Sequence, residues 1–209
     1  MTVKRIFSLV LTVLLTMAPV AAQRVNEAAV IRQINAAASK LRTMQCDFVQ
    51  TKYMRMLNDK MVSRGRMYYA QPNRLRWEYT SPYTYVFVLN NSQVLMSKGR
   101  KSQVVDVNQS KVFKEITRIM MNSVVGKCLS DGKDFKTSIA ATQSEWIATL
   151  VPLKKNMRQM FKTIKIHFNK QRSMVSVVEL YENNGDRTVI ELKNVRANQN
   201  INANLFSIR

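Results

Sequence analysis

The chain has 209 residues and a net charge of +20 at pH 7, because 33 Lys and Arg residues oppose 13 Asp and Glu residues. A single histidine, two cysteines and five glycines argue against a zinc site and against a phosphate-cradling loop, and no G-x-S-x-G nucleophile motif occurs. We therefore expect a binding protein rather than an enzyme, with no metal and no cofactor.

The first 22 residues have the three-part layout of a secretory signal. Two basic residues, Lys4 and Arg5, precede an apolar run from Ile6 to Val20, and small residues end the segment at Ala22. The apolar run is shorter than the roughly 20 residues that a membrane-spanning helix needs. No cysteine lies near the cleavage point for lipid attachment. We expect cleavage after Ala22 and an exported, soluble protein whose residues 23–209 form a single domain.

The exported part keeps a charge near +18, because the signal contains only two charged residues and both are basic. A strongly basic surface favours anionic partners. Export argues against nucleic acid, so anionic lipid head groups or an acidic protein face fit the compartment better. The alternative is a basic surface that serves solubility alone.

The first predicted element is a helix over residues 26–44. Val30, Ile34, Ala37 and Leu41 recur there at helical spacing. From residue 61 the period changes to two, and short turns separate the segments. The predicted strands cover residues 61–69, 75–79, 83–89, 93–97, 102–107, 135–141, 146–151, 163–168, 174–181 and 187–192.

The most regular of these strands covers residues 75–79. Leu75, Trp77 and Tyr79 alternate with Arg74 and Arg76, which indicates one apolar and one ionic face. We expect the ionic side chains to point outward and the apolar ones to point toward the core.

A second helix is predicted over residues 110–125. Phe113, Ile116, Met120 and Val124 form one stripe, which Met121 and others broaden beyond half of the circumference. A helix of this kind is deeply buried or covers an apolar cavity. Residues 110–125 are therefore the best candidate for a lid.

The predicted fold is α+β, mainly antiparallel β. About ten strands follow one another through short turns, with one helix before them and one inserted, and sequential strands of this kind form an antiparallel sheet. Since two helices cannot cover such a sheet, we expect it to curl into a barrel or an incomplete barrel.

The remaining polar candidates have structural interpretations. His167 lies on the polar face of its strand, so a surface or rim position is expected. Asp131 and Asp134 are expected to be turn residues rather than metal ligands. Cys46 and Cys128 either form one disulfide in an oxidising compartment or remain two buried thiols.

Several short motifs follow the predicted signal in a set order. They are Cys46-Asp47-Phe48-Val49-Gln50, the segment from Gln71-Pro72 to Trp77-Glu78-Tyr79, Ser81-Pro82, Leu150-Val151-Pro152, the segment 164–168, an Asn-Gly turn at 184–185, Asn194 and Phe206. In this order they span nearly all of the exported region, and the ordered set resembles the LolA-type periplasmic lipoprotein carriers. No single motif is specific, so the order is the informative feature.

This resemblance implies an incomplete barrel whose helices cover an apolar cavity for the acyl chains of lipoproteins. It also implies cargo received from an inner-membrane ABC transporter, delivery to an outer-membrane acceptor, transient membrane contact and no nucleic acid partner. We expect a monomer that shuttles lipidated protein. The expected cavity residues are Phe48, Met67, Tyr69, Leu75, Trp77, Tyr79, Ile116, Met120 and Val124.

The chain departs from the family at one position. Many members have arginine immediately before the motif proline, where it helps to hold the lid closed, and this chain has Gln71. Gln71 is therefore the expected lid-gating residue, without charge assistance. Two alternatives stay open: a carrier of another lipid or glycolipid, and a periplasmic sensor domain that binds lipid or protein.

Overall fold

The computed structural model describes residues 25–109, 114, 117–118, 121–122, 129 and 132–208. Eleven strands form one antiparallel sheet in the spatial order β6-β5-β4-β3-β2-β1-β11-β10-β9-β8-β7. The strands are β1 (Thr43–Met54), β2 (Asp59–Ala70), β3 (Arg74–Ser81), β4 (Tyr85–Asn90), β5 (Gln93–Lys98), β6 (Lys101–Asp106), β7 (Phe135–Ala141), β8 (Glu145–Pro152), β9 (Phe161–Asn169), β10 (Met174–Glu182) and β11 (Arg187–Ala197). The edge strands β6 and β7 do not pair with each other, so the sheet is an incomplete barrel, and the predicted fold class is confirmed.

The first helix, α1, covers Glu27–Lys40 and is shorter than predicted. The side chain of Asn26 caps it by accepting a hydrogen bond from the N–H of Ala29 at 3.0 Å. Leu41 is already extended, and Met44 belongs to β1, where its backbone pairs with Tyr69. The prediction of a helix to residue 44 is therefore wrong, because sheet pairing on both sides of β1 overrides the local helical pattern.

Two further differences concern short helical segments. A second described helix, α2, covers Lys155–Met160 and was not predicted, because only Met157 is buried and a stripe needs more turns to be visible. In the predicted helix over 110–125, residues Lys114, Thr117, Arg118, Met121 and Asn122 are helical. The rest of that segment lies outside the described residues.

The inner face of the sheet, against which α1 packs, is apolar along nearly its whole width. Val30 and Ile34 of α1 belong to a cluster with the β7–β10 half of the sheet, which includes Ile166 and Phe168. Ala38 and Leu41 belong to a second cluster, called here the β1–β5 cluster, which includes Met44, Cys46, Phe48, Met67, Tyr69, Leu75, Leu89, Val94, Val107 and Met121.

The C-terminal segment covers part of the outer face. Phe206 packs there against Ala70, Val88 and Leu95. No described helix is long and apolar enough to cross a membrane. One end of the sheet, called here the hairpin end, contains the β1–β2, β3–β4 and β10–β11 turns together with α2.

Candidate functional site

Six of the predicted cavity residues meet in the β1–β5 cluster. Phe48, Met67, Tyr69 and Leu75 are 2% exposed or less. Trp77 and Tyr79 are half-buried and pack against the same cluster. Cross-strand pairing explains the grouping, because Met67 is the partner of Trp77 and Tyr69 the partner of Leu75. The alternation in residues 75–79 therefore identified the inner face correctly.

An aromatic stack connects the buried part of this cluster to the hairpin end. The ring of Phe48 stacks on Trp77 with centroids 4.4 Å apart and meets Tyr79 edge-on at 5.2 Å. Tyr79 in turn lies 5.5 Å from Tyr83 and 6.2 Å from Tyr85. The rings of Trp77, Tyr79, Tyr83 and Tyr85 are partly exposed and form an apolar surface with polar tips, here called the aromatic patch.

Gly65 makes room for the stack. A Cβ atom at this position would lie 1.9 Å from the carbonyl oxygen of Glu78 and 2.5 Å from Cζ of Phe48. The Phe48 ring can therefore lie directly on the backbone of β2 only because residue 65 has no side chain.

The hydroxyl of Tyr79 has a hydrogen-bond partner beside the patch. Its hydroxyl donates a hydrogen bond to Oε1 of Gln50 at 2.9 Å. Burial raises the pKa of Tyr79, and hydrogen bonds from its surroundings only partly offset this. The phenol therefore stays neutral at physiological pH, so the patch gains no charge that an apolar ligand would have to displace.

The structure adds cavity residues that the sequence pattern did not identify. Phe87, Met96, Met174, Ile190 and Leu192 are partly buried against the β1–β5 cluster. The pairings Trp77–Phe87 and Phe87–Met96 continue the inner face onto β4 and β5. Residues 83–89 are apolar on both faces, so alternation alone could not assign Phe87 to one of them.

One described residue of the predicted lid segment, Met121, belongs to this cluster. Met121 is 9% exposed within it, and Thr117 one turn earlier is 5% exposed. The predicted cavity residues Ile116, Met120 and Val124 lie outside the described residues. Their roles stay predictions.

Asp134 is more than the turn residue that was expected. Its carboxylate is 3% exposed and forms ion pairs with Arg118 of the lid segment and, at 2.7 Å, with Nζ of Lys154. Burial alone would raise the pKa of Asp134, but the hydrogen bonds and charges of Lys154 and Arg118 outweigh it and lower that pKa. The two ion pairs of Asp134 thus connect the chain just before β7 with the lid segment and with the residue that precedes α2. Asp131 lies outside the described residues.

Gln71 lies at the turn between β2 and β3. Its N–H donates to the carbonyl oxygen of Arg42 at 2.8 Å. Arg74 and Arg76 point to the outer face as expected: Arg74 lies over the Phe206 ring, and Arg76 pairs with Glu78 at 2.9 Å. The gating role of Gln71 stays a prediction.

Cys46 is a free, buried thiol of the β1–β5 cluster. Burial, followed by the nearby charge of Asp47, raises its pKa to about 12. A thiol of this kind packs as a small apolar side chain and is a poor nucleophile. Cys46 forms no disulfide in this structure, and Cys128 lies outside the described residues.

His167 lies in a polar network on the outer face. Its Nδ1 is 3.1 Å from Oε2 of Glu145, and its Nε2 is 2.9 Å from Oε1 of Glu179. Tyr181 donates to the second oxygen of Glu179 at 2.7 Å. The network connects three strands, β8, β9 and β10. Within the described ranges, no three acidic, histidine or cysteine side chains are grouped as metal ligands would be.

Exposed apolar side chains concentrate at the hairpin end. Met56 and Leu57, at the tip of the β1–β2 turn, are 90% and 69% exposed. Arg55 and Lys60 flank this tip. Other exposed apolar residues of the same end are Tyr53, Val62, Tyr83, Val151, Leu153 and Met160.

Comparisons with known proteins agree on one family. The model of the family described as "Outer membrane lipoprotein carrier protein LolA" matches residues 39–209. The outer-membrane lipoprotein carrier protein of Chromobacterium violaceum is 23% identical over 178 residues, which cover 82% of this chain and 79% of that protein. Its counterpart in Methylococcus capsulatus is 26% identical over 175 residues, which cover 79% and 76%.

A solved structure shows the same fold at low identity. The Pseudomonas aeruginosa MucA/MucB complex superposes with a TM-score of 0.54 at 10% identity and covers 88% of this chain. The chain spans only 61% of that longer chain, so the likeness concerns the fold alone. Since the family model covers most of the sequence, the chain belongs to the LolA family of outer membrane lipoprotein carrier proteins.

Proposed function

We propose that this protein is a periplasmic carrier that shields the acyl chains of lipoproteins between an inner-membrane ABC transporter and an outer-membrane acceptor. The single observation that favours this role is the aromatic patch, a half-exposed apolar surface continuous with the buried β1–β5 cluster. No catalytic step is part of the proposal.

The energetics of acyl transfer fit such a surface. Each methylene exposed to water costs about 0.8 kcal/mol, so a chain of about fifteen methylenes costs roughly 12 kcal/mol unless it is covered. A carrier must supply most of this cover and still release the chain. Half-buried rings suit both covering and release, because each ring offers apolar surface while part of it stays in contact with water.

Among the described residues, a small cavity borders the inner face of the sheet. The cavity between α1 and the start of β10, next to Ala37 and Met174, has a volume of about 90 Å³. Small-molecule sites usually measure about 300–1,000 Å³. We therefore propose that an acyl chain begins on the aromatic patch and goes deeper as α1 or the lid segment moves away from the sheet.

Adjacent residues of β5 provide a matched test. Met96 points to the inner face next to Phe87, whereas Ser97 points outward, and both are half-buried. The fully buried Leu75 is less suitable, because a charge there would disrupt folding. We expect Met96→Glu to lower acyl-chain binding at least tenfold and Ser97→Glu to leave it within twofold, although both add the same charge.

The measurement has two parts. Binding of a fluorescent triacylated lipopeptide gives the affinities, and mass spectrometry identifies what co-purifies with the mature protein from a host with both membranes. Triacylated lipoproteins are the expected cargo. A bound non-protein lipid would favour another lipid as cargo, and equal loss of binding in both variants would show that the inner face is not the binding surface.

A further inference from the structure

The outer face contains a groove that the acyl-carrier role does not use. It has a volume of about 690 Å³, and its lining includes Asp47, Arg66, Arg172, Asn194, Val195 and Arg196. The three guanidinium groups come from β2, from the β9–β10 turn and from β11. The groove lies on the opposite side of the sheet from the aromatic patch.

An irregularity of the sheet forms the floor of the groove. The register between β1 and β11 shifts between Gln45 and Asp47, and Asn194 opposite has a φ of 54°. Its side chain donates to Oδ2 of Asp47 at 2.8 Å. Bulges of this kind re-aim side chains and are frequent beside functional sites.

No ion pair among the described residues neutralises the arginines of the groove, unlike three other arginines of the chain. Arg76, Arg118 and Arg187 each lie within 4 Å of a carboxylate. In the described parts of the chain, no carboxylate lies within that distance of the guanidinium of Arg66, Arg172 or Arg196.

Contacts within the protein use only part of the positive charge of these arginines, so the rest is available to a ligand. Arg172 donates one N–H to the carbonyl oxygen of Val195 at 3.4 Å, which holds it at the groove edge. Asp47, the one carboxylate of the lining, already accepts a hydrogen bond from Asn194. Three guanidiniums and one carboxylate leave a formal charge of about +2 at neutral pH.

We propose that this groove binds a phosphate group, either of a soluble phosphate ester or of a phospholipid head group. A guanidinium binds phosphate oxygens in bidentate geometry, and several together neutralise a doubly charged phosphate. A phosphate monoester carries nearly two negative charges and matches the groove in full, whereas the phosphodiester of a phospholipid head group, like a carboxylate, carries one and neutralises half of it. The volume lies within the usual range for small-ligand sites.

Two double variants with the same change in charge test the proposal. Arg66→Gln with Arg196→Gln removes two groove arginines, and Lys60→Gln with Arg64→Gln removes two cations from the same outer face of β2 outside the groove. All four side chains are exposed, so both proteins should fold, which their thermal unfolding midpoints would check. The probe is glycerol 3-phosphate, followed through the Nε–Hε signals of the arginines by NMR.

We expect saturable shifts of the Arg66, Arg172 and Arg196 signals when glycerol 3-phosphate is added to the unchanged protein. The dissociation constant should be at least tenfold higher in the groove variant, with less than twofold change in the control.

Vesicles distinguish the two sources of the phosphate group, when vesicles containing phosphatidylglycerol are compared with vesicles of phosphatidylcholine alone. Arginine-dependent binding of vesicles indicates a head group, and binding of the free ester alone indicates a soluble ligand. Equal weakening in both variants, no saturable binding, or tighter binding of an acidic glutamate peptide would overturn the proposal. Because the aromatic patch is on the other face, lipopeptide binding by the groove variant should be unchanged.

Discussion

At the scale of single residues, Gly65 decides whether the aromatic stack can form. We expect Gly65→Ala to lower the free energy of unfolding by about 1–3 kcal/mol, because the added Cβ forces Phe48 and the backbone of β3 to move. Displacement of Phe48 also changes the surroundings of Trp77, so tryptophan fluorescence should shift together with the urea unfolding midpoint.

The matched control is Gly132→Ala, because nothing lies within 4 Å of a Cβ at Gly132. Stability and fluorescence should then stay as in the unchanged protein. If both alanine variants behave alike, close packing of Phe48 on Gly65 is not what holds the stack together.

At the scale of elements, Glu179 is the centre of a polar network on the outer face of β9 and β10. Burial alone would raise the pKa of Glu179, but hydrogen bonds from Tyr181 and His167 and the charges nearby outweigh it and lower that pKa below its usual value of 4.5. A carboxyl with a lowered pKa in the folded state stabilises the fold above the pKa of the unfolded chain, and this contribution is lost as the pH falls through the folded-state pKa.

We therefore expect Glu179→Gln to cost about 1–3 kcal/mol of unfolding free energy at pH 7, since His167 and Tyr181 lose a charged partner. The difference in unfolding free energy between the unchanged protein and Glu179→Gln should become smaller below pH 4.5, because the carboxyl of Glu179 then also becomes protonated. Urea unfolding across this pH range measures it. Glu191→Gln, which removes only the exposed pair with Lys193, should cost less than about 1 kcal/mol, and an equal cost in both variants would contradict the role given to Glu179.

Strands with one apolar and one polar face could be predicted from the sequence. A strand whose place depends on pairing with distant parts of the chain could not. Strand β7 was predicted with its observed bounds, and β3 with its inner face, because Leu75 and Trp77 alternate with arginines. Strand β1 was missed by periodicity. Its place beside β11 joins residues nearly 150 positions apart, and no local pattern contains that pairing.

The candidate site was predictable to the same extent. Met67, Tyr69 and Leu75 follow from alternation, whereas Ile190 and Leu192 reach the β1–β5 cluster only because β11 closes onto β1. The ion pairs of Asp134 and the glycine at position 65 beneath Phe48 depend on tertiary contacts, so neither could be deduced from residue spacing.

At the scale of the whole molecule, polar and apolar surfaces are separated by position. The aromatic patch and the exposed Met56 and Leu57 lie at the hairpin end, the arginine groove lies on the outer face, and the C-terminal segment covers the outer face around Phe206. A carrier that exchanges acyl chains with membrane-bound partners would present its apolar end to them. A flanking cation such as Arg55 would favour an anionic surface.

This arrangement leads to a prediction about the hairpin tip. Replacing Met56 and Leu57 together by serine should leave the unfolding midpoint nearly unchanged, because both side chains are largely exposed and outside the described core clusters. It should slow transfer of a fluorescent triacylated lipopeptide from the loaded carrier to phosphatidylglycerol-containing vesicles at least threefold, since about two buried apolar side chains are lost from the contact.

The matched control replaces Val104, an exposed apolar residue of edge strand β6, by serine. Its transfer rate should equal that of the unchanged carrier, and equilibrium binding of the lipopeptide should be the same in all three proteins. Tip variants that transfer as fast as the control would show that the hairpin end does not make the contact through which cargo leaves. A loss of lipopeptide affinity would instead assign Met56 and Leu57 to the binding surface itself, and the aromatic patch would then extend to the tip of the β1–β2 turn.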